Sequence, residues 1–443
     1  MKVLMVSAAV LPFWKCGVAS VVDELSRALR QEGHEVAFFA LNILDDNDFN
    51  HEENNTKYWM NAAAVTEQCA YIPDTTPTAQ RISKRFANCL IEFKPDVVHF
   101  HTPQYFSLNL IEQAKNAGLR TIVTLHDFWW ICPTQFFTPQ RGLKCTNACK
   151  ESCLKCMRET QQTESMYEQR QNALQHIEPK VDCFVCVSSI VYDEIIKQKP
   201  YLKDKAVVIP NPISDGADQF PQLGEPIVFS FLGAEHDIKG YPEVISAFSR
   251  LDPALNWVLN IHGCAQSVNA EPHKSIAIRI LSRIYRILLK VKKYCLHPVM
   301  LLKKIVAKLL RYKSKHSTKI QALPIHHYPG FTKEERLDIL SHTHVVIVYS
   351  QIQESFSLVA REAMKNGCCV ITAPCSGPTE IVQNGVNGFV TASSTADSLL
   401  CTVQSMLDNR EQILQLRKNA FEFSANFDTP QVCIEKHLAV YSL

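Results

Sequence analysis

The residues best suited to chemistry lie in Gln353-Glu354-Ser355-Phe356-Ser357-Leu358-Val359-Ala360-Arg361-Glu362-Ala363. Its two carboxylates, Glu354 and Glu362, stand eight positions apart around the expected start of a helix that runs to Asn366 and stops at Gly367. A helix N-terminus offers amide donors without intrahelical partners at the positive end of its dipole, a setting for a phosphate. The small residues Ser355 and Ser357 let a diphosphate approach those amides. Glu354, just before the helix, can meet sugar hydroxyls; Glu362, two turns in, can take a vicinal diol such as a ribose. A solvated amphipathic helix with two surface glutamates has the same spacing, so context must decide.

A second group gathers at expected strand ends in the first half. Gly17, in Pro12-Phe13-Trp14-Lys15-Cys16-Gly17-Val18-Ala19, occupies the turn between a first strand and a first helix and can present its amide to a phosphate. His99-Phe100-His101 ends one strand, and alternation places both histidines on one face. Thr124-Leu125-His126-Asp127-Phe128-Trp129-Trp130 ends the next, so His101 and the His126-Asp127 pair can reach a shared cleft.

The elements that must carry these residues alternate regularly. Val3–Val6 is an all-apolar run, as a strand buried on both faces requires. Val18, Val21, Val22, Leu25 and Leu29 then repeat at helical spacing, and Val36–Leu41 is apolar again. Strands are expected at Val97–His101, Thr121–His126, Val181–Ser188 and Ala206–Ile209. A Pro- and Gly-rich break over Asn211–Pro226 precedes a second series at Ile227–Leu232, Trp257–His262, Val345–Tyr349, Cys369–Thr372 and Phe389–Thr391, with helices near 242–250, 333–341, 357–366 and 395–407. The expected architecture is α/β. Two doubly wound Rossmann-like domains, 1–213 and 214–428, face a cleft at their strand C-terminal ends, and a helix over 429–443 follows.

Four further stretches give this pattern an identity. Phe231-Leu232-Gly233-Ala234 with Ile238-Lys239-Gly240 forms a turn after the first strand of the second domain. Gly377-Pro378-Thr379-Glu380-Ile381-Val382 and Gly385-Val386-Asn387-Gly388-Phe389-Val390 follow the Glu354/Glu362 segment, and Val208-Ile209-Pro210-Asn211-Pro212-Ile213 marks the junction. Together the chain resembles the family-4 retaining glycosyltransferases of the GT-B fold, of the kind that builds bacterial exopolysaccharide, capsule or lipopolysaccharide. The likeness spans nearly the whole chain in the right order and omits roughly 264–324.

The resemblance implies a nucleotide-sugar donor held by Gly17, Lys239, Ser355, Phe356, Ser357, Leu358 and Glu362. Lys239 neutralises the diphosphate, Glu362 holds the ribose, and Glu354 contacts the donor sugar. His126 lies near the reacting sugar and Asp127 is an acceptor-side carboxylate, with His101 and Trp129 as weaker acceptor-side candidates. Breaking a sugar–phosphate bond leaves negative charge on the diphosphate, which Lys239 and helix amides can stabilise, so no metal cofactor is required for catalysis. Two departures stand out. Many relatives carry an Arg where Ala234 or Ile238 stands here, and others have Gly in place of Ser357. The departures keep open a non-catalytic nucleotide-sugar-binding scaffold, with a nucleotide-sugar epimerase as another reaction on the same fold.

Cysteine and charge set the surroundings. Seventeen Cys, odd in number and often inside apolar strands, indicate a reducing compartment. The N-terminus reads better as a strand than as a secretion signal. Cys132, Cys145, Cys149, Cys153 and Cys156 cluster after the His126-Asp127 segment. Their spacing suits a structural Zn²⁺ held by Cys145, Cys149, Cys153 and Cys156, or a reduced, partly buried loop. The formal net charge of +2 hides a polarised chain. Residues 272–320 hold ten Lys and four Arg and no acid, which leaves the remainder at −12.

Arg279, Arg283, Arg286, Lys290 and Lys293 form one stripe opposite Ile280, Ile284, Ile287 and Val291, as in a basic amphipathic helical insertion in the second domain. Aromatics are too few for a single-strand nucleic-acid binder. An anionic membrane surface is the better partner, at about 1 kcal/mol per basic residue. With no apolar run of the ~18–20 residues that span a bilayer, the chain is expected to be cytoplasmic, peripherally bound to the inner face of the cell membrane. Its expected reaction moves a sugar to a lipid-linked or growing polysaccharide acceptor.

Overall fold

The computed structural model describes residues 1–14, 16–42, 47–62, 73–138, 144–146, 148–159, 163–214, 216–233, 235–264, 323–374 and 376–442. The basic stretch 272–320 and Ala234 lie outside the described residues.

The first domain is built on Lys2–Ser7 (β1), Glu35–Asn42 (β2), Phe49–Glu53 (β3), Thr56–Ala62 (β4), Val97–Phe100 (β5), Arg120–Leu125 (β6), Cys183–Cys186 (β7) and Ala206–Val208 (β8). They form one sheet in the order β3-β4-β2-β1-β5-β6-β7-β8, parallel except for the antiparallel β3–β4 pair. The unbroken apolar runs follow from burial on both faces. Leu4 and Val6 pack with Phe86 and Phe100 on one side. Val3 and Met5 pack with Val22, Leu25, Ile434 and Tyr441 on the other. Each such side chain, fully buried, is worth about 1.5–3 kcal/mol.

The second sheet contains Ile227–Leu232 (β9), Trp257–Cys264 (β10), Ile325–Pro329 (β11), Val345–Val348 (β12), Cys369–Thr372 (β13) and Gly388–Val390 (β14), all parallel, in the order β11-β10-β9-β12-β13-β14. Phe229, Phe231 and Ile371 pack with Val244, Phe248 and Leu399 on one face, and Val346 and Val370 with Ala360, Ala363 and Met364 on the other. The sequence expectation missed the β3–β4 hairpin and β11. Phe49–Glu53 and Ile325–Pro329 are polar and largely exposed edge strands without the apolar run that marks the inner ones.

The chain crosses between domains twice, and the crossings touch: the Ile213 amide donates to the Asp428 carbonyl at 3.0 Å. The last helix, Pro430–Ser442, therefore lies on the first domain, where Cys433, Ile434, Val440 and Tyr441 join its core.

Candidate active site

In both sheets the strand C-terminal ends deliver the singled-out residues. In the second domain, β12 ends at Val348 and the chain turns through Ser350 and Gln353 to the helix Leu358–Lys365. That turn is tightly enclosed. Gly240, at φ 78°, lies so close that a Cβ would sit 2.0 Å from the Tyr349 carbonyl oxygen, and the Gln351 amide donates to the Ile238 carbonyl at 2.8 Å. The Lys239 loop and the Glu354 loop are thus one packed unit. On the other side a Cβ on Gly377 would lie 2.8 Å from the Phe356 amide nitrogen and 2.9 Å from the Glu354 carbonyl oxygen, so the backbone of 376–379 also presses directly on it.

Glu354 is largely buried, and Lys239 Nζ donates to its Oε1 at 2.8 Å. Ser350 Oγ donates to the same oxygen. Burial pushes the Glu354 carboxyl up, but Lys239, Ser350 and Ser357 outweigh it and hold the pKa below the usual range. Glu354 is an oriented carboxylate beside a cation at a helix entrance. Ser357 is the helix N-cap, in the left-handed region at φ 61° and without a cap hydrogen bond, a conformation that costs a non-glycine residue about 1–2 kcal/mol. This explains why glycine suits the position.

Two arginines brace the helix. Arg336, on the helix Lys333–Ser341, places Nη1 3.0 Å from Glu362 Oε1. Arg361 is buried, with its guanidinium carbon 3.6 Å from the Phe356 ring centroid, an ion pair to Glu380 at 2.5 Å, and a bond from Nη1 to the Phe356 carbonyl. Burial pushes Arg361 down to about 10, with Glu380 opposing, so it stays charged at neutral pH. Phe356 is thereby clamped, and its buried ring packs with the core of the first domain.

The first domain closes onto this loop. Ser355 Oγ donates to the His126 carbonyl, and Ser188 Oγ donates to the Ser355 carbonyl at 2.6 Å. Gln353 donates its amide to Thr138 Oγ1 at 2.9 Å, and Glu380 accepts from the Ser189 amide and hydroxyl at 2.9 and 2.7 Å. A Cβ on Gly17 would lie 3.6 Å from Leu358 Cδ1, so the start of Gly17–Gln31 faces the start of Leu358–Lys365. Two helix N-termini, each with amide donors lacking intrahelical partners, thus converge at this junction.

His126 sits at this junction, half-buried, with Nε2 2.9 Å from His101 Nδ1. His101 is fully buried behind it, its Nε2 3.4 Å from the Met5 sulfur and its ring tilted against that of His99, centroids 4.0 Å apart. His99 in turn bonds Tyr441 Oη and Thr124 Oγ1, both at 2.7 Å. Burial pushes His126 down to about 3, with His437 adding to it, so the ring is neutral. Asp127 Oδ1 accepts the Trp129 amide at 2.7 Å; burial raises its carboxyl to about 6 despite that bond and the nearby Arg170. Trp129 itself is buried, its ring under the Arg170 guanidinium at 4.6 Å. The structure therefore brings Gly17, His126, Lys239, Glu354 and the 355–358 loop together, and places His101 and Trp129 in the layer behind.

Two family models match consecutive parts of the chain. "Glycosyltransferase Family 4" covers residues 16–216 and "Glycosyl transferases group 1" covers 217–423. The chain is a glycosyltransferase of the family-4 type. Sucrose-phosphate synthase from Thermosynechococcus elongatus has the same GT-B fold, with a TM-score of 0.66 at 16% identity over 100% of this chain and 98% of that one. Anabaena HepE in complex with UDP-glucose matches at TM-score 0.60 and 12% identity over 100% of both chains. The lipopolysaccharide outer core galactosyltransferase WaaB matches at 0.58 and 14%, over 100% and 99%. No curated protein matches in sequence.

The transferase also uses residues that the sequence reading passed over: Arg361, Arg336, and Ser188 with Ser189. Glu380 stood inside a recognised motif without a role. Each acts by pairing with a residue distant in the chain, which no local spacing records; only a lone Arg inside an otherwise apolar helix face hinted at Arg361.

Proposed function

We propose that this transferase moves a sugar, with retention of anomeric configuration and without a catalytic metal, from a nucleotide-sugar donor to a lipid-linked or growing polysaccharide acceptor. The observation that carries the reading is the Lys239–Glu354 pair at the entrance of the helix Leu358–Lys365, facing His126 and Gly17 across the cleft. When a donor enters, its diphosphate takes Lys239 and the amides of Leu358 and its neighbours. Glu354, freed from full neutralisation, orients the sugar hydroxyls, and Glu362 takes the ribose. As the sugar–phosphate bond breaks, the oxygen that becomes charged faces these donors. His126, neutral and backed by His101, accepts or donates a hydrogen bond to a sugar hydroxyl without adding positive charge beside the oxocarbenium-like carbon. Structural neighbours crystallised with UDP, UDP-glucose and UDP-2-fluoro-glucose support a nucleotide-sugar donor.

The lipid-linked acceptor rests on 272–320. This stretch lies between the end of β10, at the same sheet edge as the Lys239 loop, and the start of β11. Fourteen basic residues there would hold the enzyme to an anionic leaflet.

A thermal-shift screen of nucleotide sugars tests the donor assignment, because a bound ligand raises the melting temperature. One nucleotide sugar should stabilise the wild type, and Lys239→Ala and Glu362→Ala should abolish the shift. Stabilisation that survives both substitutions would move the donor elsewhere. Binding without transfer to any membrane extract would favour a scaffold.

A further inference from the structure

His126 makes one hydrogen bond through its ring, and the direction of that bond decides what the ring can do in the cleft. Its Nε2 meets His101 Nδ1 at 2.9 Å. A neutral imidazole has one N–H and one lone pair, so one of these two nitrogens donates and the other accepts. Both rings are neutral: burial lowers His101 well below the usual histidine range and His126 to about 3. Among the described residues no carboxylate bonds either ring, and Asp127, next in sequence, accepts the Trp129 amide instead.

The far side of His101 fixes the choice. Its Nε2 lies 3.4 Å from the sulfur of Met5, and both residues are fully buried. Strand register holds them there, since Met5 pairs with His99 and the His101 amide donates to the Val6 carbonyl at 2.9 Å. A thioether sulfur has no proton to give and can only accept. Were His101 protonated on Nδ1, its Nε2 lone pair would face the sulfur lone pairs, and a buried acceptor without a donor is costly. With the proton on Nε2, that N–H points at the sulfur and Nδ1 keeps a lone pair. His126 must then supply the proton between the rings from its own Nε2. His99 leaves this order undisturbed, because its nitrogens bond the hydroxyls of Tyr441 and Thr124, which fit either direction.

We propose that Met5 and His101 are positioning residues that hold His126 as the Nε2–H tautomer, so that Nδ1 of this half-buried ring meets the donor as a hydrogen-bond acceptor only. The protons run one way, from His126 Nε2 to His101 Nδ1 and from His101 Nε2 to the Met5 sulfur. Toward the donor, and resting there on the nucleotide-sugar reading proposed above, Nδ1 takes the O–H of a sugar hydroxyl. It turns away an ether or carbonyl oxygen, whose lone pairs it would face. It also puts no N–H beside the carbon that gains positive character as the bond to phosphate breaks.

Proton–nitrogen NMR of the full-length protein with isotope-labelled histidine, at neutral pH and without donor, tests the proton order and needs no variant to fold. Coupling across the hydrogen bond identifies the two bonded rings. The bridging proton should sit on an Nε2, and the accepting ring should carry a proton on its own Nε2. A bridging proton on Nδ1, an imidazolium in either ring, or no coupling between two histidines would overturn the proposal. Met5→Leu removes the sulfur at similar size, so the bridging proton should redistribute toward Nδ1. Donor binding should weaken about fivefold, the worth of one hydrogen bond. A folded variant that keeps the wild-type proton order would overturn the role of Met5. A nucleotide sugar that raises the melting temperature should also shift the His126 Nδ1 resonance, and a stabilising donor that leaves it unmoved would overturn the acceptor role. Should no nucleotide sugar stabilise the protein, the donor reading fails, while the proton order stands or falls by the first spectrum.

Discussion

Glu354 is ionised although buried, because Lys239, Ser350 and Ser357 surround it. Asp127 has the opposite balance, and its carboxyl titrates near 6. Two carboxylates within one cleft are therefore separated in pH, and the acid limb of kcat/KM should belong to Asp127. Activity should fall as the pH drops through about 6, and Asp127→Asn should remove that limb; a kcat/KM profile from pH 5 to 8 reads it. Ser357 is a second residue under tension. Ser357→Gly relieves the positive φ at the cost of greater unfolded-chain freedom, a net gain of up to about 1 kcal/mol. Calorimetry should show a melting temperature higher by about 2 °C; a lower one would mean the Ser357 hydroxyl on Glu354 outweighs the strain. At this scale the sequence was informative. Glu354, Lys239 and Glu362 were legible because charge and small residues stood at a helix entrance. Their partners Arg336 and Ser350 were not, because ion pairing depends on the register of packed elements.

The helix Leu358–Lys365 works only if its entrance holds still. Arg361 secures it through Phe356 and Glu380, and Glu380 extends the hold to Ser189 of the first domain. Removing the arginine strands a partly buried carboxylate, so Arg361→Met should cost about 3 kcal/mol in urea unfolding. It should also raise KM for the donor, which an unrelated core substitution of equal cost would leave alone. Gly377→Ala tests the same entrance from the other side, since its Cβ would strike the Phe356 amide. The inner strands and the helices were legible from apolar runs and 3.6-residue periodicity. β3 and β11 were not, because edge strands bury too little to leave a pattern, and the buried β4 was missed because Thr56–Ala62 mixes Thr, Lys and Asn into its apolar run.

For the whole molecule, the last helix makes the first domain depend on the end of the chain. His437 and Tyr441 lie against His99, which lies against His101, which bonds His126. Burial lowers all four histidines, His126 to about 3 and His437 to about 4, and neighbouring histidines add to the fall at His99, His101 and His126. Their folded pKa lies below the unfolded value of 6.5, so the unfolded chain binds more protons and stability is lost as pH falls below 6.5. Each contributes about 1.4 kcal/mol per pH unit there. Asp127, raised, opposes by a similar amount between about 6 and 4. The net fall should lower the melting temperature steeply between pH 6.5 and 5, and Tyr441→Phe should leave that slope intact while lowering the whole curve. The formal charge of +2 divides at the same scale into a basic insertion and an acidic enzyme. Deleting 272–320 should abolish sedimentation with anionic vesicles and leave the donor-induced thermal shift unchanged. The composition of that stretch was plain in the sequence, whereas the acceptor was not, since specificity lies in pocket shape. The most direct test is transfer from an α-linked nucleotide sugar by wild type and Glu354→Gln, with the product linkage read by proton NMR. Expected are an α-linked product and a kcat lower by about 10²–10³ in the variant at an unchanged melting temperature. A β-linked product, or a variant as fast as the wild type, would contradict the assignment of this site.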